Sequence, residues 1–505
     1  MSATVVHSRV LLGFTAHAVT VECHVGSGLP STTIVGLPEG AVREARDRIR
    51  AALTNSGFEY PDGRVVINLA PGHLAKSGSF LDLAMAISIL AATAQLRTQG
   101  LARYELLGEL SLFGELRQAR GALTCALAAN NAGRFLLIPS ANGDEAALAP
   151  AGTIGLVQTL AEAAAVVNGS QPPQQPPVTA LADPQANAGP EPDLFAEISG
   201  QAGAKRALAI AACGGHHALM VGPPGTGKTM LARAFTNLLP CLSPAQALEV
   251  AAIYSAAGLT RTDHSRPPFR DPHHSASAPA LMGGGRTPLP GEVSLAHHGV
   301  LFLDELPHFK PAALNLLREP IESGEAVISR TSYNVRFPCR FQLIAAMNPC
   351  PAGQHCREDA CRCSPSQVRS YQSRVSGPML DRVDIQVSVT PVPQRLLARL
   401  SQGAQSHPSR ADIAAGRAVQ MQRQGKLNAE LTPVELQQQI STAQGCETLI
   451  RGMEKQTFSA RSFHKIWRVA RTVADLERVE AIQREHLAEA ISYRALDWQT
   501  RVGFA

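Results

Sequence analysis

The residues best equipped for chemistry stand in one run, Gly222-Pro223-Pro224-Gly225-Thr226-Gly227-Lys228-Thr229. The pattern Gly-x4-Gly-Lys-Thr suits a phosphate. Glycines let the backbone curl so that its N–H groups point inward, and a following helix adds its positive N-terminal end. Lys228 has the reach for β- and γ-phosphates, and Thr229 can offer a hydroxyl to Mg2+. A glycine-rich turn without a ligand would carry similar letters, but the flanks decide. Ala218–Val221 reads as a buried strand and residues 230–239 as a helix, the context that the motif requires.

A second run, residues 299–305, is apolar and ends in Asp304 and Glu305. Such a run reads as a core strand of a parallel sheet. Asp304 at its tip would hold Mg2+, and Glu305 would polarise an attacking water. Together the two runs predict an enzyme that hydrolyses ATP with Mg2+. A third group is Cys350, Cys356, Cys361 and Cys363. Four thiols so close in sequence can complete a tetrahedral Zn2+ site, although the spacing is irregular and free thiols remain the alternative.

The elements that must position these residues fall into four segments. Residues 1–168 alternate short strands and helices in an α+β pattern. The helix of residues 39–55 carries Val42, Ala45, Ile49 and Leu53 on one face. Residues 169–192 are rich in Pro, Gln, Ala and Gly and read as an exposed tether, which predicts a front domain mobile relative to the nucleotide core. Residues 193–390 form that α/β core, with an insertion at about 254–296 and the cysteine cluster at 350–363. Residues 391–505 read as helical, with Ile466, Val469, Val473 and Leu476 at core spacing.

The totals agree. The chain has 505 residues, 45% hydrophobic and 17% charged, enough for several cores. A net charge of +5 permits nucleic-acid binding without requiring it. The N-terminus lacks the basic flank and apolar core of a secretory signal, and no apolar stretch approaches ~18 residues, so no membrane association is expected. Ten cysteines in an ATP-using chain point to thiols or a metal in a reducing cytoplasm.

Several stretches are shared with a known family. Residues 214–229, Arg270-Asp-Pro-His-His-Ser-Ala-Ser, Gly283-Gly-Gly, Pro290-Gly-Glu-Val-Ser-Leu-Ala-His297 and Ala345-Ala-Met-Asn-Pro349 resemble the ComM/YifB family of the magnesium-chelatase-like AAA+ group. The resemblance implies an AAA+ core with a helical lid, a homo-hexameric ring and branch migration on DNA, branched or single-stranded, in natural transformation. It implies that Asn348 orients the lytic water. It also implies that Arg382 is an arginine finger entering a neighbour's site, with Arg374 as competitor and a local ion pair to Asp381 or Asp384 as the plain reading. Arg461 matches the second sensor of AAA+ lids, which contacts the γ-phosphate. In related ring motors inserts such as the one carrying Arg261, Arg266, Arg270, His273 and His274 face a central pore. Arginines among glycines suit a grip on a polyanion, and a solvated hairpin is the alternative. His273 and His274 have no carboxylate or thiol at ligand spacing in sequence, which argues against a metal there.

The front end resembles a Lon-protease-like domain, a relative of a ribosomal-protein fold, through Gly108-Glu-Leu-Ser-Leu-Phe-Gly114 and Phe135-Leu-Leu-Ile-Pro139. Lon chemistry needs a serine and an activating lysine. Here Phe80 falls at the nucleophile's place, and residues 115–133 contain Arg117 and Arg120 but no lysine. A structural or regulatory role follows, not a peptidase. The competing function is a chelatase-like or protein-remodelling ATPase that does not act on DNA.

Overall fold

The structure, a computed structural model, describes residues 4–76, 78–177, 193–285, 287–330, 333–353, 361, 363–392, 407–441, 443, 445–447, 449–450 and 459–494. Cys356 lies outside them.

The front domain is built on a seven-stranded sheet. Its strands are β1 (Thr4–Leu12), β2 (Thr15–Gly26), β3 (Ser31–Val35), β4 (Arg64–Ala70), β5 (Tyr104–Leu106), β8 (Phe135–Pro139) and β9 (Ile154–Val157), and β6 (Glu109–Leu110) with β7 (Leu116–Arg117) forms a small separate ribbon. The order is β3-β4-β2-β1-β5-β8-β9. The Gly40–Asn55 helix buries Val42, Ala45, Ile49, Ala52 and Leu53 against this domain's core, the face expected from their spacing. Arg9 and Arg134 both reach the fully buried carboxylate of Glu105, Arg9 through two bonds of 2.5 and 3.0 Å.

The nucleotide core is a five-stranded parallel sheet in the order β11-β14-β17-β10-β18. These strands are β10 (Ala218–Val221), β11 (Phe269–Arg270), β14 (Val300–Leu303), β17 (Gln342–Met347) and β18 (Ile385–Ser388). Their side chains alternate between two apolar layers. Ala218, Met220, Val300, Phe302, Ile344 and Ala346 face one, and Leu219, Val221, Leu301, Leu303, Leu343 and Ala345 the other. Both faces are therefore covered, which is why the strands read as unbroken apolar runs. Two hairpins stand off the sheet: β12 (Gly283–Gly284) with β13 (Leu289–Pro290), and β15 (Glu325–Arg330) with β16 (Tyr333–Pro338). The insertion is thus less continuous than its sequence suggests, because β11 inside it is the edge strand of the core sheet.

The tail is helical, with helices Arg410–Gln424, Pro433–Ser441, Ala460–Leu476 and Arg484–Ser492. Trp467 is fully buried in the cluster that also holds Ala218 and Met220. Lys465 Nζ meets Asp384 Oδ1 at 2.8 Å and ties this tail to the start of β18.

The front domain does not hang free. Helix Pro244–Ala257, begun by a Ser243/Gln246 capping box, lies against front-domain helix Ala122–Asn131. Gly121 N donates to Ser255 O at 2.9 Å, and Thr124 Oγ1 donates to Ala252 O at 3.5 Å. Leu123, Leu148, Ala251 and Ala252 form an apolar seam there, with Phe14 and Leu248 packed beside it. At the β1–β2 turn Gly13 has φ +64, and a Cβ on it would lie 1.8 Å from Val335 Cγ1 of β16. The tether's composition predicted mobility; the buried apolar seam overrides it.

Candidate nucleotide site

The sheet order brings the predicted residues together. β10, β17 and β14 are neighbours with parallel register, so the loops at their C-terminal ends emerge side by side. The first turn of the helix after the β10 loop carries Lys228 and Thr229, the residue after β17 is Asn348, and the residues after β14 are Asp304 and Glu305.

The loop's own geometry has local causes. A Cβ on Gly222 would sit 2.1 Å from Val389 O, so only glycine passes beside the residue that follows β18. Gly225 and Gly227 have φ of +77 and +85, a backbone form that L side chains resist. Thr226 Oγ1 donates back to Pro223 O at 2.9 Å, and Gln201 Nε2 donates to Thr226 O at 3.3 Å and Thr390 O at 2.6 Å. The Lys228–Leu238 helix begins directly at the loop.

Lys228 Nζ donates to Gly222 O at 2.7 Å, Pro223 O at 2.8 Å and Asn348 Oδ1 at 3.2 Å. Burial pushes its pKa down, against the pull of Asp304 and Glu305. Thr229 Oγ1 donates to Asp304 Oδ2 at 2.8 Å. An ammonium folded back into its own loop, with a hydroxyl and a carboxylate oxygen in contact beside it, fits a triphosphate with Mg2+. Pro223 and Pro224 shape the turn between these groups.

Comparison with known proteins then decides the family. The description "Magnesium chelatase, subunit ChlI" matches residues 194–397, "Subunit ChlI of Mg-chelatase" residues 21–142, and its C-terminal counterpart residues 403–494. The chain is 44% identical over 502 residues to an Escherichia coli protein named YifB, covering 98% of each. It is 44% identical over 502 residues to the competence protein ComM of Haemophilus influenzae, again covering 98% of each. The chain belongs to the ComM/YifB family. A 38 kDa magnesium-chelatase subunit of Rhodobacter capsulatus is 28% identical over 174 residues, 31% of this chain and 50% of that protein. The AAA+ core shared by the magnesium-chelatase-like group implies use of ATP and Mg2+.

Glu305 stands apart from the other acid in this ComM/YifB member. Its backbone has φ 51, held by Glu305 N donating to Asp304 Oδ1 at 2.8 Å and His308 N donating to Glu305 O at 2.7 Å. Its carboxylate is half exposed, and His274 Nδ1 lies 3.5 Å from Oε2. The histidine pair of the insertion therefore has a carboxylate partner that sequence spacing did not reveal, since it arrives from another strand.

Arg382 and Arg461 are not beside the loop. Both line a cleft of about 980 Å3 between the core and the helical tail, with Glu322, Lys465 and Arg468, and no residue of 222–229 lines it. Arg382 pairs with Glu322 at 2.7 Å and donates to Pro378 O at 2.7 Å and Arg318 O at 3.2 Å. The local ion pair is thus to Glu322, on the Arg318–Ser323 helix, not to Asp381 or Asp384. Arg461 and Arg374 are exposed.

Cys350, Cys361 and Cys363 offer sulfur atoms that all lie within 4.8 Å of one another, with 3.7 Å between those of Cys350 and Cys361. That spacing matches the ~3.8 Å edge of a sulfur tetrahedron built on ~2.3 Å metal bonds. Gly353 packs this turn against Pro224 and Asn348. A second group, Glu249, His297 and His298, is compact too. Arg340 N donates to His297 Nδ1 at 3.0 Å, so neutral His297 carries its proton on Nε2 and points it at Glu249. That tautomer leaves Nε2 no lone pair for a metal.

In the front domain Ser79 Oγ bonds Glu109 and Lys76 Nζ bonds Pro71 O. The two groups are not partnered as a nucleophile and its base would be. Ser77 lies outside the described residues.

Proposed function

We propose that this chain is an ATP-hydrolysing, ring-forming motor that moves strands or junctions of DNA. The observation that carries the reading is the division of the machinery over two places. Lys228, Thr229, Asp304, Glu305 and Asn348 converge at one edge of the sheet, whereas Arg382 and Arg461 line a separate cleft. Neither Arg382 nor Arg461 then serves its own subunit's phosphate loop, and a neighbouring copy would supply both. Arg461 then serves the next subunit's γ-phosphate and not its own.

Mg2+, once bound, would neutralise charge on the phosphate oxygens. Thr229 and Asp304 would hold it, and Lys228 would turn from its loop carbonyls to the phosphates. Glu305 takes the proton of the water whose oxygen attacks phosphorus as the bond to the bridging oxygen breaks, releasing ADP and phosphate. Asn348 orients that water. Arg382 leaves Glu322 to offset developing charge across the seam.

DNA as the partner is supported by 44% identity over 98% of both chains to a protein named for competence, whereas the 38 kDa chelatase subunit aligns with 31% of this chain. The insertion's Arg270 is locked by Glu292 at 2.6 and 2.8 Å, so it braces the loop and does not grip phosphate. The β12–β13 tip is joined to β16 by Tyr333 Oη donating to Gly285 O. Cys350, Cys361 and Cys363, with Cys356 as fourth thiol, would hold Zn2+ as a structural clip on the loop beside Asn348. The deciding experiment is ATP-driven branch migration of a synthetic four-way DNA junction, together with the particle's mass with and without ATP. Monomers that move no junction would refute the reading.

A further inference from the structure

Cys350, Cys361 and Cys363 form a cluster whose members meet solvent unequally. Cys350 is 2% exposed, Cys363 is half-buried and Cys361 is exposed. Every other cysteine among the described residues is buried or half-buried. An oxidant arriving from solvent therefore meets Cys361 first. Its sulfur has a target in reach, since Cys361 Sγ lies 3.7 Å from Cys350 Sγ. A disulfide needs ~2.05 Å, so a movement of about 1.7 Å by the exposed partner closes the bond.

The buried partner is tied to the nucleotide site. Cys350 follows Asn348 by two residues, and Pro349 O between them accepts Gln372 Nε2 at 3.1 Å. Gly353 N donates to Cys350 Sγ at 3.4 Å and closes a turn. Gly353 has φ +62, and a Cβ on it would stand 3.2 Å from Pro224 Cδ and 3.4 Å from Asn348 Nδ2. Asn348 Oδ1 in turn accepts from Lys228. A thiolate accepts the Gly353 N–H strongly, whereas a disulfide sulfur accepts it weakly. Drawing Cys350 towards Cys361 therefore loosens the turn that backs Asn348. Lys228 and Thr229 keep their contacts with the loop carbonyls and Asp304.

We propose that Cys361 and Cys350 are an oxidative modification site, at which a disulfide slows ATP hydrolysis by displacing Asn348. The proposal rests on the ATPase reading above. The oxidant is a hydroperoxide. The Cys361 thiolate sulfur bonds its terminal oxygen as the O–O bond breaks, which gives a sulfenic acid, and the other oxygen leaves with a proton as alcohol or water. The Cys350 thiolate then attacks the Cys361 sulfur. The S–S bond forms, the S–O bond breaks, and the departing hydroxide takes a second proton and leaves as water. Two electrons pass from the thiolates to the peroxide. A dithiol reductant reverses the change by exchange. The bond also removes two of the thiolates that would hold Zn2+, so the disulfide and the metal-bound form exclude each other.

The test treats the full chain, first reduced, with hydrogen peroxide. ATP hydrolysis, binding of a fluorescent ATP analogue and the sequences of cross-linked tryptic peptides are then measured. Cleavage after Arg357 and Arg362 puts Cys350, Cys361 and Cys363 on separate peptides. The expected result is a bond between Cys350 and Cys361, a kcat lowered about tenfold to a hundredfold, and ATP binding unchanged within about twofold, all restored by dithiothreitol. Cys361→Ser and Cys350→Ser should each keep their own untreated rate after peroxide, whereas Cys241→Ser should be slowed as wild type is. Undiminished hydrolysis by protein that carries the bond overturns the proposal, as does a bond from Cys361 to Cys363, or equal slowing of wild type and Cys361→Ser. If untreated wild type hydrolyses no more ATP than Glu305→Gln, the ATPase reading fails and the control of Asn348 with it, while the joined peptides still decide the modification site.

Discussion

Thr229 Oγ1 donates to Asp304 Oδ2 over 2.8 Å, although β17 lies between the strands that deliver them. The bond spans two strand spacings because the loop after β10 folds back across the end of β17. It sets two oxygens of different elements at one point before any cation arrives, which lowers the ordering cost of binding one.

Lys228→Ala should abolish nucleotide binding, measured by titration with a fluorescent ATP analogue. Thr229→Ala should still bind, but its activity should need about tenfold more Mg2+, since an orienting oxygen is lost. Equal loss in both variants would separate Thr229 from the metal.

Glu305→Gln should bind ATP as wild type does and hydrolyse it at least ~10^2-fold more slowly. Binding and turnover measured on the same preparation check this. A variant that fails to bind would mean that Glu305 shapes the pocket instead.

Arg382→Ala should lose ~10^3-fold in rate and should poison wild-type subunits in mixtures. A mixture of Arg382→Ala with Lys228→Ala subunits should regain some activity, because each seam of the right order joins an intact loop to an intact arginine. Glu322→Gln, which only frees Arg382, should remain active.

The cysteine cluster predicts one Zn2+ per chain in protein purified under reducing conditions, read by elemental analysis. Cys350→Ser should lose the ion and lower the Tm by several degrees. Metal-free wild type with unchanged Tm would leave the thiols as plain packing.

Acid should destabilise the fold through two histidines. Burial pushes both His217 and His297 down to about 4, and each accepts a backbone N–H at Nδ1, from Leu343 and Arg340, at 3.0 Å. A depressed folded value means that the unfolded chain takes the proton first. Their stabilisation is complete above about pH 6.5 and is lost as pH falls towards 4. By pH 5 the loss is about 2 kcal/mol for each. His297→Asn, which keeps an acceptor that does not titrate, should flatten the fall of Tm between pH 7 and 5.

The nucleotide site was largely legible in the sequence because each of its parts is local. A strand's apolar run, a glycine spacing and the acids after Leu303 are all read within a few residues, and the parallel sheet then aligns their ends. The features hidden from the sequence depend on contacts between distant segments. His274 meets Glu305 only because β11 pairs with β14. Arg382 meets Glu322 because the Arg318–Ser323 helix passes beneath it. The shared cleft of Arg382 and Arg461 depends on how the Ala460–Leu476 helix docks, which no periodicity encodes. The Pro244–Ala257 helix did carry a local sign, Ser243-Pro244 followed by Gln246, and its contact with the front domain is what makes the tether's composition misleading.

The seam at Ser255 and the wedge of Gly13 against Val335 also bear on how the protein can be divided. Cutting the chain in the tether would strip cover from Leu248, Ala251 and Ala252 and leave a greasy stripe on the ATP-handling half. That half, made alone, should clump, and a bulkier residue at position 13 should do similar harm from the other side.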